Sequence, residues 1–201
     1  MKVGILGGTF DPVHVGHLSI AEVALEQGSL DRILFVPAGH PRLKQAEPVA
    51  SVEHRLEMVR LATANNPRFN VCDLEAFRPG PTYTVDTLTE LSNELGPDLE
   101  LVFILGLDVL RKLDMWKDPG RVLRLCQIIV FDRPGEQNFD WSDFYRKVPE
   151  ANQRVRVVTA PPMDISATEL RHNIAVGIEV EGQIPKSVVG YIQDQRLYRA
   201  D

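Results

Sequence analysis

The sequence predicts an α/β fold: a doubly wound, Rossmann-like, mostly parallel sheet with helices on both faces and a small helical segment at the C-terminal end. Three observations predict it. Continuous apolar runs recur at Val3–Leu6, Ile33–Val36, Leu99–Leu105 and Ile128–Phe131, the pattern of parallel strands buried on both faces. Segments with apolar residues at helical spacing stand between them, and glycines and prolines mark the joints. Strand and helix therefore alternate, which implies βαβ units and a parallel sheet. A length of 201 residues, with 44% hydrophobic and 25% charged residues, suits one sizeable core. The expected organisation is a single domain over 1–201, with its C-terminal helical part at about 162–201.

Each element can be justified in turn. The run Val3-Gly4-Ile5-Leu6 is the first strand, and Leu18, Ala21, Ala24 and Leu25 carry the first helix to about Gly28. The second strand, Ile33–Val36, closes at Pro37, and a polar loop follows to Pro48. Ser51 suits the cap of a helix in which Val52, Leu56, Val59 and Thr63 share a face. Phe69–Cys72 is a short third strand. Val85, Leu88, Leu91 and Leu95 form a helical stripe stopped by Gly96-Pro97. Leu99–Leu105, the most hydrophobic strand, leads through Gly106-Leu107-Asp108 into a helix with Val109, Leu110 and Leu113. Pro119 opens a short helix through Val122, Leu123 and Leu125. Ile128–Phe131 is the fifth strand, Glu136–Gln153 a loop with a helix inside it, and Val155–Thr159 the sixth strand. Two helices end the chain, at about Thr168–Val176 and Pro185–Arg196.

Composition narrows the function classes. A net charge of -6 argues against a nucleic-acid binder with a broad basic face. Two isolated cysteines, Cys72 and Cys126, suit neither a disulfide framework nor a zinc site and read as buried free thiols. No protein metal site is expected. The chain starts directly with a strand pattern, without a signal peptide, and no apolar run approaches membrane-spanning length. A cytoplasmic protein that avoids membranes and nucleic acids is the consistent expectation.

The stretch Gly7-Gly8-Thr9-Phe10-Asp11-Pro12-Val13-His14-Val15-Gly16-His17-Leu18 carries chemistry. The glycines suit a turn at positive φ and a close main-chain approach to a ligand. The helix entrance offers unpaired N–H groups and the positive dipole end, an anion site. His14 and His17, three apart, share a helical face, and imidazole can donate to phosphate oxygens. This is read as a phosphate site rather than a plain strand–helix turn. The motif Gly-x-Gly-x-x-Gly is absent, which argues against a dinucleotide fingerprint. Far downstream, Ile165-Ser166-Ala167-Thr168-Glu169-Leu170-Arg171 has the Ser-x-x-Glu form of a capping box. Arg171 near the positive dipole end calls for an anion; a phosphate and a neighbouring carboxylate both satisfy that, and the residues alone leave both open. After the strand-end glycine, Asp108 suits ribose hydroxyls, a metal–phosphate network or a helix cap. Trp116 suits core packing or stacking on a flat ligand. His40, His54 and His172 read as surface residues.

The first stretch resembles the signature of the nucleotidyltransferase superfamily with its His-x-x-His pair. Ile165–Arg171 resembles the Ile-Ser-x-Thr-x-x-Arg motif of the same superfamily, with Ala167 where Ser is commoner. Thr82–Leu88, Phe103–Asp108, Trp116, Arg55–Met58, Arg133-Pro134-Gly135 and Gly190-Tyr191-Ile192 to Leu197-Tyr198 are similar to bacterial nicotinate mononucleotide adenylyltransferases. The resemblance covers nearly the whole chain. It implies adenylyl transfer from ATP to nicotinate mononucleotide, giving nicotinate adenine dinucleotide and pyrophosphate, a step of NAD biosynthesis. His14, His17, Lys44 and Arg171 are then the catalytic set. The ATP contacts are Gly7, Gly8, Thr9, Phe10, His17, Lys44, Gly106, Asp108, Arg133, Ile165, Ser166, Thr168 and Arg171. Thr84, Asp108 and Trp116 hold the mononucleotide, Trp116 by stacking on the ring. Mg2+ enters carried by ATP. The loop Pro41-Arg42-Leu43-Lys44 departs from the family's Pro-Pro-His-Lys: the lysine stays and the histidine is lost. A homo-oligomer is compatible with this reading. Rival readings are adenylyl transfer to nicotinamide mononucleotide or phosphopantetheine, and a nucleotide-binding sensor without catalysis.

Overall fold

The computed structural model describes residues 1–39, 49–96, 98–132, 139–159 and 165–199. Six strands form one sheet in the order β3-β2-β1-β4-β5-β6, with β1 at Lys2–Gly8, β2 at Arg32–Pro37, β3 at Phe69–Val71, β4 at Glu100–Gly106, β5 at Cys126–Asp132 and β6 at Val155–Thr159. The expected α/β doubly wound sheet is thus observed, and the chain order reverses beside β1. The chain divides into two compact units.

The first unit comprises Met1–Leu6, Glu22–Ile33 and Tyr83–Pro162. Its parallel pairs run Val3↔Leu101 to Leu6↔Ile104, Leu101↔Cys126 to Gly106↔Phe131 and Ile128↔Val155 to Asp132↔Thr159. The strands β1 and β4 therefore leave the sheet at the same end, as expected for neighbours at the reversal point. Val3, Ile5, Val102, Ile104, Ile128 and Val130 are buried, which is why these runs are apolar on both faces. Helix α3 (Thr84–Leu95) buries Val85, Leu88 and Leu91 and stops at Gly96, whose φ is 86°.

The helix expected around Val109 starts earlier and breaks sooner. Gly106 is its extended N-cap, α4 spans only Leu107–Leu110, and a 3₁₀ turn follows at Leu113–Met115. Leu107 and Leu110 of α4 and Leu113 of the 3₁₀ turn are all buried, so the segment keeps its apolar side inward across the break. Helix α5 (Pro119–Leu125) opens at Pro119 as expected, capped by the Asp118 carboxylate, which accepts from the Arg121 N–H at 3.0 Å. Within 136–153, α6 covers Trp141–Lys147 and a 3₁₀ helix Pro149–Gln153. Cys126 is buried and free; its thiol donates to the Val122 carbonyl at 3.3 Å, and burial pushes its pKa up to about 12.

The second unit comprises Gly7–Ala21, Leu34–Thr82 and Met163–Asp201. It opens the long helix α1 (Val15–Gln27), which Gln183 receives by accepting the Val15 N–H at 2.9 Å. Phe10, Phe35 and Phe69 form an aromatic row with centroids 5.9 and 5.2 Å apart. Helix α2 (Val52–Thr63) buries Arg55, Leu56, Met58, Val59 and Thr63. Helices α7 (Ala167–Ala175) and α8 (Lys186–Asp194) close the unit, with Val188 and Ile192 buried.

Two expectations change here. Cys72 is half-buried rather than buried, because β3 ends at Val71. His54 is not a simply solvated residue: its Nδ1 lies 2.9 Å from the Tyr191 hydroxyl. His172 is exposed as expected, whereas His40 lies outside the described residues.

Candidate active site

The first turn folds differently from the expectation of positive-φ glycines. Neither Gly7 nor Gly8 has positive φ; Phe10 does, at 52°. Gly8 is needed for close approach instead. A Cβ there would sit 2.9 Å from Cζ of Phe10, whose buried ring packs edge-on to His17 at 5.0 Å. The Phe10 side chain thus belongs to the core.

His14 precedes α1, and His17 is its third residue. Their rings stack with centroids 3.7 Å apart and planes at 28°. The His14 backbone N–H donates to Nδ1 of His17 at 3.3 Å. An acceptor nitrogen carries no proton, so this bond puts the proton of a neutral His17 on Nε2 and makes that atom the donor.

Below the turn lies a polar scaffold. The buried Asp11 carboxylate accepts the Val49 N–H at 2.8 Å and the Ala50 N–H at 3.1 Å. It also accepts the Tyr198 hydroxyl at 2.7 Å. Arg55, 1% exposed, donates to the carbonyls of Thr9 (2.7 Å), Ala50 (3.3 Å) and Gly39 (3.3 Å). Burial pulls the Arg55 guanidinium below its ordinary pKa, while the Asp11 charge opposes that shift. A guanidinium remains protonated even so.

Arg171 reaches this scaffold from α7. It donates to the Asp11 carbonyl at 2.7 Å, lies 3.9 Å from that residue's carboxylate, and donates to Thr168 Oγ1 at 3.3 Å. The two motifs at opposite ends of the sequence are thereby brought together. Ser166 occupies the N-cap, with extended backbone and no capping bond from its hydroxyl; the expected capping box keeps only the Ser166 carbonyl, which accepts the Leu170 N–H at 2.9 Å. Ile165 is half-buried, and Ser166 and Thr168 are exposed. Lys44 lies outside the described residues, as does Arg133.

The remaining candidates lie in the first unit. Thr84 is the first residue of α3. Asp108 is exposed in the first turn of α4 and is not its cap. Its Oδ1 leans back over Gly106, 2.5 Å from where a Cβ would stand. Trp116 packs edge-on against Phe103 at 5.9 Å and 89°; its buried indole N–H has no hydrogen-bond partner among the described residues. Among the described residues, no group of three or more His, Cys, Asp or Glu is arranged to hold a metal, and no helix is long and apolar enough to cross a membrane.

A cytidylyltransferase-like family model matches residues 5–173. A relative from Thermomicrobium roseum named "Probable nicotinate-nucleotide adenylyltransferase" is 43% identical over 198 residues, spanning 98% of this chain and 92% of its own. The chain belongs to the nicotinate-nucleotide adenylyltransferase family. A second relative with that name, from a Roseiflexus species, is 44% identical over 197 residues, 98% of each chain. Among solved structures, the Plasmodium falciparum nicotinic acid mononucleotide adenylyltransferase complexed with APC superposes with a TM-score of 0.75. It is 21% identical and covers 98% of this chain and 96% of that one, which shows the shared fold.

Three residues of the scaffold were not legible as such in the sequence: Asp11 as a carboxylate hub, Arg55 and Tyr198. Arg55 did leave a signal. It stands three after Val52 and four before Val59, on the apolar face of α2, where an arginine requires buried partners.

Proposed function

We propose that residues 1–201 act as one nucleotidyltransferase domain that joins ATP to nicotinate mononucleotide. A 5′-phosphate oxygen of the mononucleotide attacks the α-phosphorus of ATP. The bond from that phosphorus to the bridging oxygen breaks, and pyrophosphate leaves with the electron pair. The attacking phosphate is already anionic near neutral pH, so no general base is required. The protein's task is to position two polyanions and to stabilise charge on the transferring group.

In this reading the Gly8–Phe10 main chain, His14 and Nε2–H of His17 contact phosphate oxygens, while Arg171 and Lys44 offset the triphosphate charge. Gly106, Asp108, Arg133, Ile165, Ser166 and Thr168 frame the adenosine portion. Thr84 and Trp116 receive the pyridine ring. Mg2+ enters as part of the ATP substrate, on phosphate oxygens and its own waters.

The observation that carries this reading is the 2.7 Å bond from Arg171 to the Asp11 carbonyl, which sets a guanidinium beside the turn that also bears the stacked histidines. The test is pyrophosphate release from ATP with nicotinate mononucleotide, nicotinamide mononucleotide or phosphopantetheine. Fastest release with the nicotinate form is expected. Faster release with another acceptor would replace the substrate, and no release with any would leave a binding protein.

A further inference from the structure

We infer that Tyr198 is a positioning residue for adenylyl transfer, whose hydroxyl holds the Asp11 carboxylate off Arg171 so that the guanidinium keeps its charge for phosphate. This rests on the reaction proposed above. The geometry has three parts. Tyr198 donates to Asp11 Oδ1 at 2.7 Å, across 187 positions of sequence. With the Val49 and Ala50 N–H groups, that makes three short bonds to one buried carboxylate. Arg171 then lies 3.9 Å from Oδ2, too far for a hydrogen bond, while bonding the Asp11 carbonyl instead at 2.7 Å.

A carboxylate and a guanidinium frequently pair bidentately, through both carboxylate oxygens; here Oδ1 already accepts from Tyr198 and Ala50, and Oδ2 from Val49. Such a pair would cancel the Arg171 charge and redirect its fork. The Tyr198 hydroxyl is one of the donors that prevents this.

The backbone supplies a second observation. Arg196 and Tyr198, neither of them glycine, both adopt left-handed φ, at 53° and 63°. Such conformations are uncommon outside glycine and persist where the surroundings over-determine them. Here they follow the end of α8 and leave the Tyr198 hydroxyl on Asp11, with Met58 Sδ 4.0 Å away.

Tyr198→Phe tests the inference, because it keeps the ring and removes only the hydroxyl. With ATP and nicotinate mononucleotide, kcat should fall about tenfold, as for a misplaced contact group, while KM for ATP stays within about twofold. In an Arg171→Ala background the same substitution should leave kcat unchanged, since nothing remains to be positioned. A crystal structure of Tyr198→Phe should show Arg171 Nη1 closing on Asp11 Oδ2 to hydrogen-bond length. A loss of thermal stability with unchanged kcat would overturn the inference, as would an additive loss in the Arg171→Ala background or an unmoved Arg171. If the wild type transfers nothing, the reaction itself is refuted and the inference falls with it. If it turns over and Tyr198→Phe matches it, only the inference falls.

Discussion

The imidazoles of His14 and His17 lie face to face, 3.7 Å between centroids, and the His14 N–H holds His17 by its Nδ1. One ring is thus a wall for the other, and the backbone selects the tautomer that presents Nε2–H. His17→Ala should lower kcat by at least about a hundredfold, the scale for removing one transition-state donor. Steady-state kinetics on a variant with native circular dichroism checks this; near wild-type turnover would refute the role.

In the proposed reaction Trp116 would offer its ring rather than its N–H. The indole N–H is buried without a partner among the described residues, so its loss removes no hydrogen bond seen there. Trp116→Ala should raise KM for the mononucleotide about tenfold with little change in kcat, and Trp116→Phe should stay within about threefold of wild type. An unchanged KM in Trp116→Ala would reduce the residue to packing against Phe103.

Arg55 bonds three carbonyls, on Thr9, Gly39 and Ala50. Arg55→Met should cost about 3 kcal/mol, since it strands three acceptors and removes the cation that faces Asp11. Denaturant unfolding measures this. Arg55→Lys should recover less than half, because a single ammonium cannot span a fork's three acceptors. A loss under about 1 kcal/mol in the methionine variant would mean that water substitutes for the fork.

Alkaline conditions should destabilise the fold. Burial raises the Cys126 thiol from 9.0 to about 12, and burial beside Asp11 raises the Tyr198 hydroxyl above its ordinary 10.0. The unfolded chain therefore releases these protons first as pH rises, and the native state binds more protons between pH 9 and 12. The linkage sign is negative there: stability is complete below pH 9 and falls above it. Unfolding midpoints from pH 8 to 11 should decline, and Cys126→Ala should flatten the slope between pH 9 and 10. A flat profile in the wild type would contradict the burial assigned to both groups.

Much of the candidate site was readable because its parts are contiguous words. The turn Gly7–His17 and the segment Ile165–Arg171 each announce a helix entrance by local composition alone. What misled was the division of labour inside them. Glycine-rich letters suggested positive φ at Gly7 or Gly8, yet Phe10 takes that conformation, because its ring must turn inward between His17 and Phe35. Gly8 is small to make room for that ring. Likewise Ser166 and Glu169 spell a capping box whose hydroxyl bond is not made.

By itself the sequence determined the alternation of strand and helix and the positions of both motifs, since these follow from apolar periodicity and turn chemistry over a few neighbouring residues. Only the tertiary structure decided which distant polar groups gather around the Asp11 turn. Asp11, Arg55, Arg171 and Tyr198 are spread over 187 positions, and no local pattern encodes their meeting. The burial of charge forces it: each polar atom removed from water must find a partner, and the fold supplies those partners from wherever the chain happens to return.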